Sequence, residues 1–131
     1  MENKIILDSC IVTEIQRGNI KIVNEVCNFQ QENSFITPIV VAEIFRGARN
    51  KSELEKCRKL LHKFRILSLN ESVVTTFSEL FDRYSLSHRP SEPDMLIAAT
   101  AIHYDIPLFT LNAKDFQFVP EIKLHAIYFA E

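Results

Sequence analysis

The stretch that most limits what this chain can fold into runs Pro93-Asp94-Met95-Leu96-Ile97-Ala98-Ala99-Thr100-Ala101-Ile102. Pro93 has a preset φ and no N–H, which suits the first turn of a helix. Behind it Met95, Leu96, Ile97, Ala98, Ala99, Ala101 and Ile102 are apolar nearly all the way round. A helix of that kind belongs in the middle of a protein rather than on its surface. The run is too short to span a membrane. Its alanines let neighbouring backbones come close. Asp94 is the one charge on the segment, and it stands where the helix starts. As part of a Ser91-x-x-Asp94 box, it would favour the helix dipole. As a carboxylate on a rigid element, it would equally serve as a metal ligand. The choice depends on what the rest of the chain supplies.

At 131 residues the chain is expected to form one domain, 1–131, with a sizeable core. No segment is low in complexity or rich in Pro, Gly and Ser, and no internal repeat is visible. The apolar run Ile5-Ile6-Leu7 is too short for a signal peptide and stops at Asp8, so a cytoplasmic protein is expected. Cys10, Cys27 and Cys57 lie far apart and read as reduced thiols rather than a metal set. A net charge of −2 gives no general electrostatic footprint for nucleic acid. A nucleic-acid substrate would have to be held locally or through a metal.

In chain order, Lys4 to Leu7 fits a strand buried on both faces, which places Asp8-Ser9 at its carboxyl end. Asp8 would also serve as an ordinary N-cap. Two helices follow, Ile11 to Arg17 and Ile20 to Gln31, broken near Gly18, with Ile20, Val23, Val26 and Cys27 on one face of the second. Ser34 to Thr37 is the next strand, and Pro38 opens a helix that ends near Gly47. Within it Glu43 is bracketed by Val40 and Ile44, so partial burial is expected, and a partly buried carboxylate needs a partner or a cation. Lys51 to Lys63 is a charged amphipathic helix with Leu54, Cys57 and Leu61 inside and Glu55 paired to Lys59. Its basic residues form a solvated face or a landing surface for phosphates or an acidic partner. Arg65 to Ser68 is a third strand. Ser68-x-x-Glu71 reads as a capping box for a long helix whose core stripe is Val73, Val74, Phe77, Leu80, Phe81 and Tyr84. His88 lies in a polar connection and would most simply be solvated. Ile106 to Thr110 is a strand, the residues from Leu111 to Phe116 a turn, and Ile122 to Phe129 a last short strand.

Strand and helix thus alternate, which predicts a three-layer α/β/α sandwich on a central parallel sheet of about five strands. In that architecture strand carboxyl ends and helix amino ends line one edge. Asp8, Asp94 and Asn112 or Asp115 would meet there, with Glu43 leaning over. Three or four carboxylates in one cleft raise each other's pKa and call for cations. Oxygen donors without a Cys/His set select Mg2+ or Mn2+ over Zn2+. Such ions can activate water against a phosphodiester. No glycine-rich phosphate loop and no GxSxG elbow is present. A phosphatase-like reading would need a conjugate lysine, for which only Lys114 is placed.

The segments Ile5 to Ser9, Val40 to Ala48, Asp94 to Ala101 and Leu108 to Phe116 resemble, in order and spacing, the four motifs of PIN domains. The closest kind is the VapC-type toxin of toxin–antitoxin modules, and the resemblance covers the whole chain. It implies a Mg2+- or Mn2+-dependent endoribonuclease that cuts structured RNA such as transfer or ribosomal RNA. By position Asp8, Glu43 and Asp94 match the family's metal-binding acids, and Ser9 and Thr110 match polar residues that order the site. Many relatives carry a fourth acid where this chain has Asn112; Asp115, one turn later, would be the substitute, with Asn112 itself as the alternative. Cys10 stands where a small polar residue is usual. The resemblance further implies a homodimer and a larger assembly with a cognate antitoxin, which would dock on the helices between Ile39 and Lys63. DNA is expected as a partner only through that antitoxin. The alternative is a PIN scaffold that binds RNA or protein without cutting.

Overall fold

A computed structural model describes residues 3–126. Its centre is a parallel sheet of β1 (Ile5–Leu7), β2 (Ser34–Ile36), β3 (Arg65–Ile66) and β4 (Leu108–Phe109), in the order β3-β2-β1-β4. Ile5 pairs with Ser34 and Ile6 with Phe35, while on the other side Ile6 pairs with Leu108 and Leu7 with Phe109. Every residue of β1 and β2 is buried, which is why both read as unbroken apolar or small runs instead of alternating ones. Leu124 adds one parallel bridge outside β4, opposite Leu108, at the place expected for a fifth strand. That expected strand runs on to Phe129, and residues 127–129 lie outside the described part.

Six helices connect and cover the strands among the described residues: α1 (Ser9–Gln16), α2 (Ile20–Cys27), α3 (Pro38–Arg46), α4 (Lys51–Leu61), α5 (Glu71–Tyr84) and α6 (Glu92–Tyr104). A short polar side chain accepts a backbone N–H at the start of each: Asp8, Asn19, Thr37, Asn50, Asn70 and Ser91. Each such cap stabilises its helix by about 1 kcal/mol. Pro lies at the start of α3 and α6, where its missing N–H costs nothing. α6 is the interior helix that its sequence demands, with Met95, Ile97, Ala98, Ala99, Thr100 and Ala101 all buried. The Thr100 hydroxyl, enclosed there, donates back to Leu96 O at 2.7 Å.

Four local expectations are corrected. α5 is capped by Asn70, whose Oδ1 accepts from Val73 N–H at 2.9 Å, and not by Ser68. Ser68 Oγ lies instead 3.1 Å from Tyr104 Oη on α6. The inner face of α2 carries Ile22, while Ile20 is 69% exposed and Cys27 is exposed. On α4 Glu55 pairs with Arg58 one turn away, not with Lys59. Val74, assigned to the α5 core stripe, is 49% exposed.

Candidate active site

Asp8 leaves the carboxyl end of β1, and its backbone N–H donates to Phe109 O on β4 at 3.0 Å. This ladder bond brings Asp8 beside Thr110, which follows β4. The Asp8 side chain is buried and uses both oxygens. Oδ1 accepts the Ser9 N–H at 2.8 Å and so caps α1. Oδ2 accepts the Thr110 hydroxyl at 2.7 Å and the Cys10 thiol at 3.7 Å. One carboxylate therefore both starts a helix and joins the first motif to the last.

Glu43 projects from the middle of α3, between the buried Val40 and Ile44. Its Oε1 is shut off from solvent and has no hydrogen-bond partner among the described residues. Burial pushes the Glu43 carboxyl above the ordinary glutamate range, and the charges of Asp8 and Asp94 push the same way. The Ser9 hydroxyl and the Arg46 guanidinium oppose them. Asp94, partly buried in the first turn of α6, is also raised, first by burial and then by Asp8 and Asp115, with a hydrogen bond to Ser91 opposing. The charges of Asp8 and Asp94 thus act on Glu43, and those of Asp8 and Asp115 act on Asp94, along the carboxyl edge of the sheet.

The turn after β4 holds the remaining candidates. Asp115 is exposed on the short helical turn Ala113–Asp115, and its charge reaches Asp94. Asn112 is also exposed, and its backbone N–H, donating to Thr110 Oγ1 at 3.0 Å, is what ties it to the cluster. Of the two side chains, Asp115 carries the charge that acts on Asp94. His88 stands elsewhere, stacked on Phe118 with ring centres 4.2 Å apart. Lys114 is exposed on the Asp115 turn.

The donors are oxygens, and one of them is buried without a partner. An unpaired carboxylate oxygen in such a place costs free energy that a cation would recover. That set suits a hard divalent ion better than Zn2+. Among the described residues, no group of three or more His, Cys, Asp or Glu is drawn together closely enough to hold an ion as it stands. The acids share an edge and a field rather than a single point.

Cys10 is the residue whose part the sequence left unstated. Its thiol touches Asp8 and lies 3.6 Å from Thr110 Oγ1. Burial pushes the thiol further above neutral pH, the Leu111 N–H opposing, so it stays protonated. The only sequence signal was a cysteine two positions after the first acid. Next to the acids, a cavity of about 710 Å³ opens between α1, α3 and α4, with Glu43 and Cys57 in its wall and Arg17, Lys56 and Lys63 around it.

Fold and site together define a class: a parallel α/β domain with an acidic, oxygen-rich site at the carboxyl ends of its strands. The family model described as PIN domain matches residues 5–121. This chain belongs to the PIN domain family. It is similar to a protein named Ribonuclease VapC from Rickettsia bellii, 29% identical over 128 residues that cover 92% of this chain and 93% of that one. A protein named Ribonuclease VapC10 from Mycobacterium tuberculosis is 30% identical over 121 residues, covering 91% and 90%. In fold it resembles the structure of VapBC-1 from nontypeable Haemophilus influenzae, with a TM-score of 0.80, 22% identity and coverage of 92% and 96%. It also resembles VapBC2 from Rickettsia felis bound to a DNA fragment from its promoter, with a TM-score of 0.76, 23% identity and coverage of 92% and 96%.

Proposed function

We propose that this chain is an endoribonuclease of the VapC kind, the toxin of a toxin–antitoxin module, and that it hydrolyses RNA phosphodiester bonds with a divalent ion. The observation that carries the reading is Glu43 Oε1, buried and without a partner among the described residues, on a carboxyl that burial and the charges of Asp8 and Asp94 push up. Asp8, Glu43, Asp94 and Asp115 would hold Mg2+, with Mn2+ as the alternative and Asn112 as the alternative to Asp115. When bound, the ion would supply an activated water and charge stabilisation for the departing oxygen. Thr110 and Ser9 orient the acids: Thr110 fixes Asp8 Oδ2, and the Ser9 hydroxyl favours ionised Glu43. The partly buried site limits solvent around the acids and strengthens their fields.

The cognate antitoxin is the protein partner, and DNA enters only through it. The cavity between α1, α3 and α4 takes a segment of that antitoxin, because it opens directly onto Glu43. The chain works as a homodimer, as one domain over residues 1–131, in the cytoplasm. Among the described residues no helix is long and apolar enough to cross a membrane. The competing non-cutting scaffold rests on Asn112, a neutral side chain in a place where an acid is expected. Induced expression in bacteria separates the two. Wild type is expected to arrest growth and Asp94→Asn, equally abundant, is not. Normal growth with soluble wild type would favour the scaffold.

A further inference from the structure

Beyond β4 no sheet ladder continues through Leu111 and Asn112 among the described residues, yet the backbone N–H groups of both have side-chain partners. Leu111 N–H donates to Cys10 Sγ at 3.4 Å, and Asn112 N–H donates to Thr110 Oγ1 at 3.0 Å. Thr110 in turn donates to Asp8 Oδ2 at 2.7 Å, and the Cys10 thiol reaches the same oxygen at 3.7 Å. Two consecutive amides are thereby tied, through one sulfur and one hydroxyl, to a single carboxylate oxygen about a hundred residues earlier in the chain. The turn that carries Asp115 starts at this pinned point, since Asp115 N–H donates to Asn112 O at 3.0 Å.

We infer that Cys10 is a positioning residue: it clamps the 110–112 segment to Asp8 and so sets where Asp115 stands against Asp94. The inference rests on the ribonuclease reading for its kinetic consequence but not for the clamp itself. A thiol suits the task. Sulfur is a weak donor and a weak acceptor, and it can serve the carboxylate and the amide at once. Serine keeps both roles at shorter reach, and alanine keeps neither. Groups that orient metal-site ligands typically matter about 10–100-fold in activity or metal affinity, and Cys10 is placed at the lower end because Thr110 shares its work.

The test compares wild type, Cys10→Ala and Cys10→Ser by amide hydrogen exchange and by steady-state cleavage of bulk transfer RNA with Mn2+. Cys10→Ala is expected to speed exchange at Leu111 and Asn112 and to lower kcat about tenfold with KM within about twofold. Cys10→Ser is expected to recover most of both. In the Asp115→Ala background, Cys10→Ala should cost little more, because the two act as one unit. Unchanged exchange at Leu111 in Cys10→Ala would overturn the clamp. A kcat that falls equally with and without Asp115 would overturn the action through Asp115. If wild type leaves RNA intact, the ribonuclease reading fails, and the exchange comparison alone decides the clamp.

Discussion

Glu43→Gln should stabilise the metal-free protein and weaken its response to metal, two opposite signs from one substitution. Burial and the charges of Asp8 and Asp94 disfavour the ionised wild-type carboxylate, whose Oε1 has no partner among the described residues. Gln keeps a neutral polar atom there, so what it relieves is the buried charge, a cost on the order of the 1–3 kcal/mol of an unsatisfied buried group. The Glu43 side chain is partly exposed, so water screens it and the lower end, about 1 kcal/mol, applies. For a chain of this size that is roughly 3–5 °C in Tm. Thermal melts in chelator near neutral pH should therefore place Glu43→Gln above wild type. With Mn2+ at about a hundred times its Kd, wild type should gain roughly 2.7 kcal/mol, and the variant, lacking one charged ligand, much less. The order of the two melting temperatures should then reverse. A variant that melts below wild type in chelator would refute the claim that Glu43 is held against its preference. An order that does not reverse with Mn2+ would refute its part in metal binding.

The raised pKa values of Glu43 and Asp94 also set a pH dependence. Each contributes stability that is complete below its unfolded value of about 4 and is lost as pH rises through its higher folded value. Glu53 and Glu121, lowered by Arg49 and Arg83, act in the opposite sense, but as exposed pairs they count for little. In chelator, urea midpoints of wild type should fall more steeply than those of Glu43→Gln as pH rises above the unfolded glutamate value of about 4, and parallel slopes would contradict this. At the fourth position Asp115→Ala should lower RNA cleavage at least about tenfold while Asn112→Ala stays within about threefold; the reverse ranking, read in the same cleavage assay, would move the role to Asn112. Met95→Ala, at a side chain 0% exposed in α6, should cost about 3 kcal/mol in denaturant unfolding, and a loss below about 1 kcal/mol would contradict the packing.

Elements that follow one physical rule were legible in the sequence. Unbroken apolar runs named β1 and β4 as buried parallel strands, and the all-round apolar character of residues 95–102 named α6 as interior. Glu43 stood out because Val40 and Ile44 flank it, and the structure leaves its Oε1 unpartnered. Features that depend on distant residues were not legible. Ser68 has the right spacing for a capping box, but Tyr104, 36 positions later, takes its hydroxyl and leaves the cap to Asn70. The α2 helix is amphipathic on more than one plausible face, and packing against the rest of the chain buries Ile22 and leaves Ile20 exposed. The left-handed turn that ends α6 falls on Asp105, at φ 54°, where glycine would have announced it. Cys10 could be read only as a thiol, because its partners Thr110 and Leu111 come from the other end of the chain.

Asp8, Glu43, Asp94 and Asp115 are proposed to make an ion-dependent site for cutting RNA. Purified wild type and Asp94→Asn, incubated with bulk transfer RNA in Mg2+, in Mn2+ and in chelator, test it most directly. Defined fragments should appear with wild type in either ion, vanish in chelator and be absent with a folded Asp94→Asn. Fragments that persist in chelator, or with pure Asp94→Asn, would contradict it.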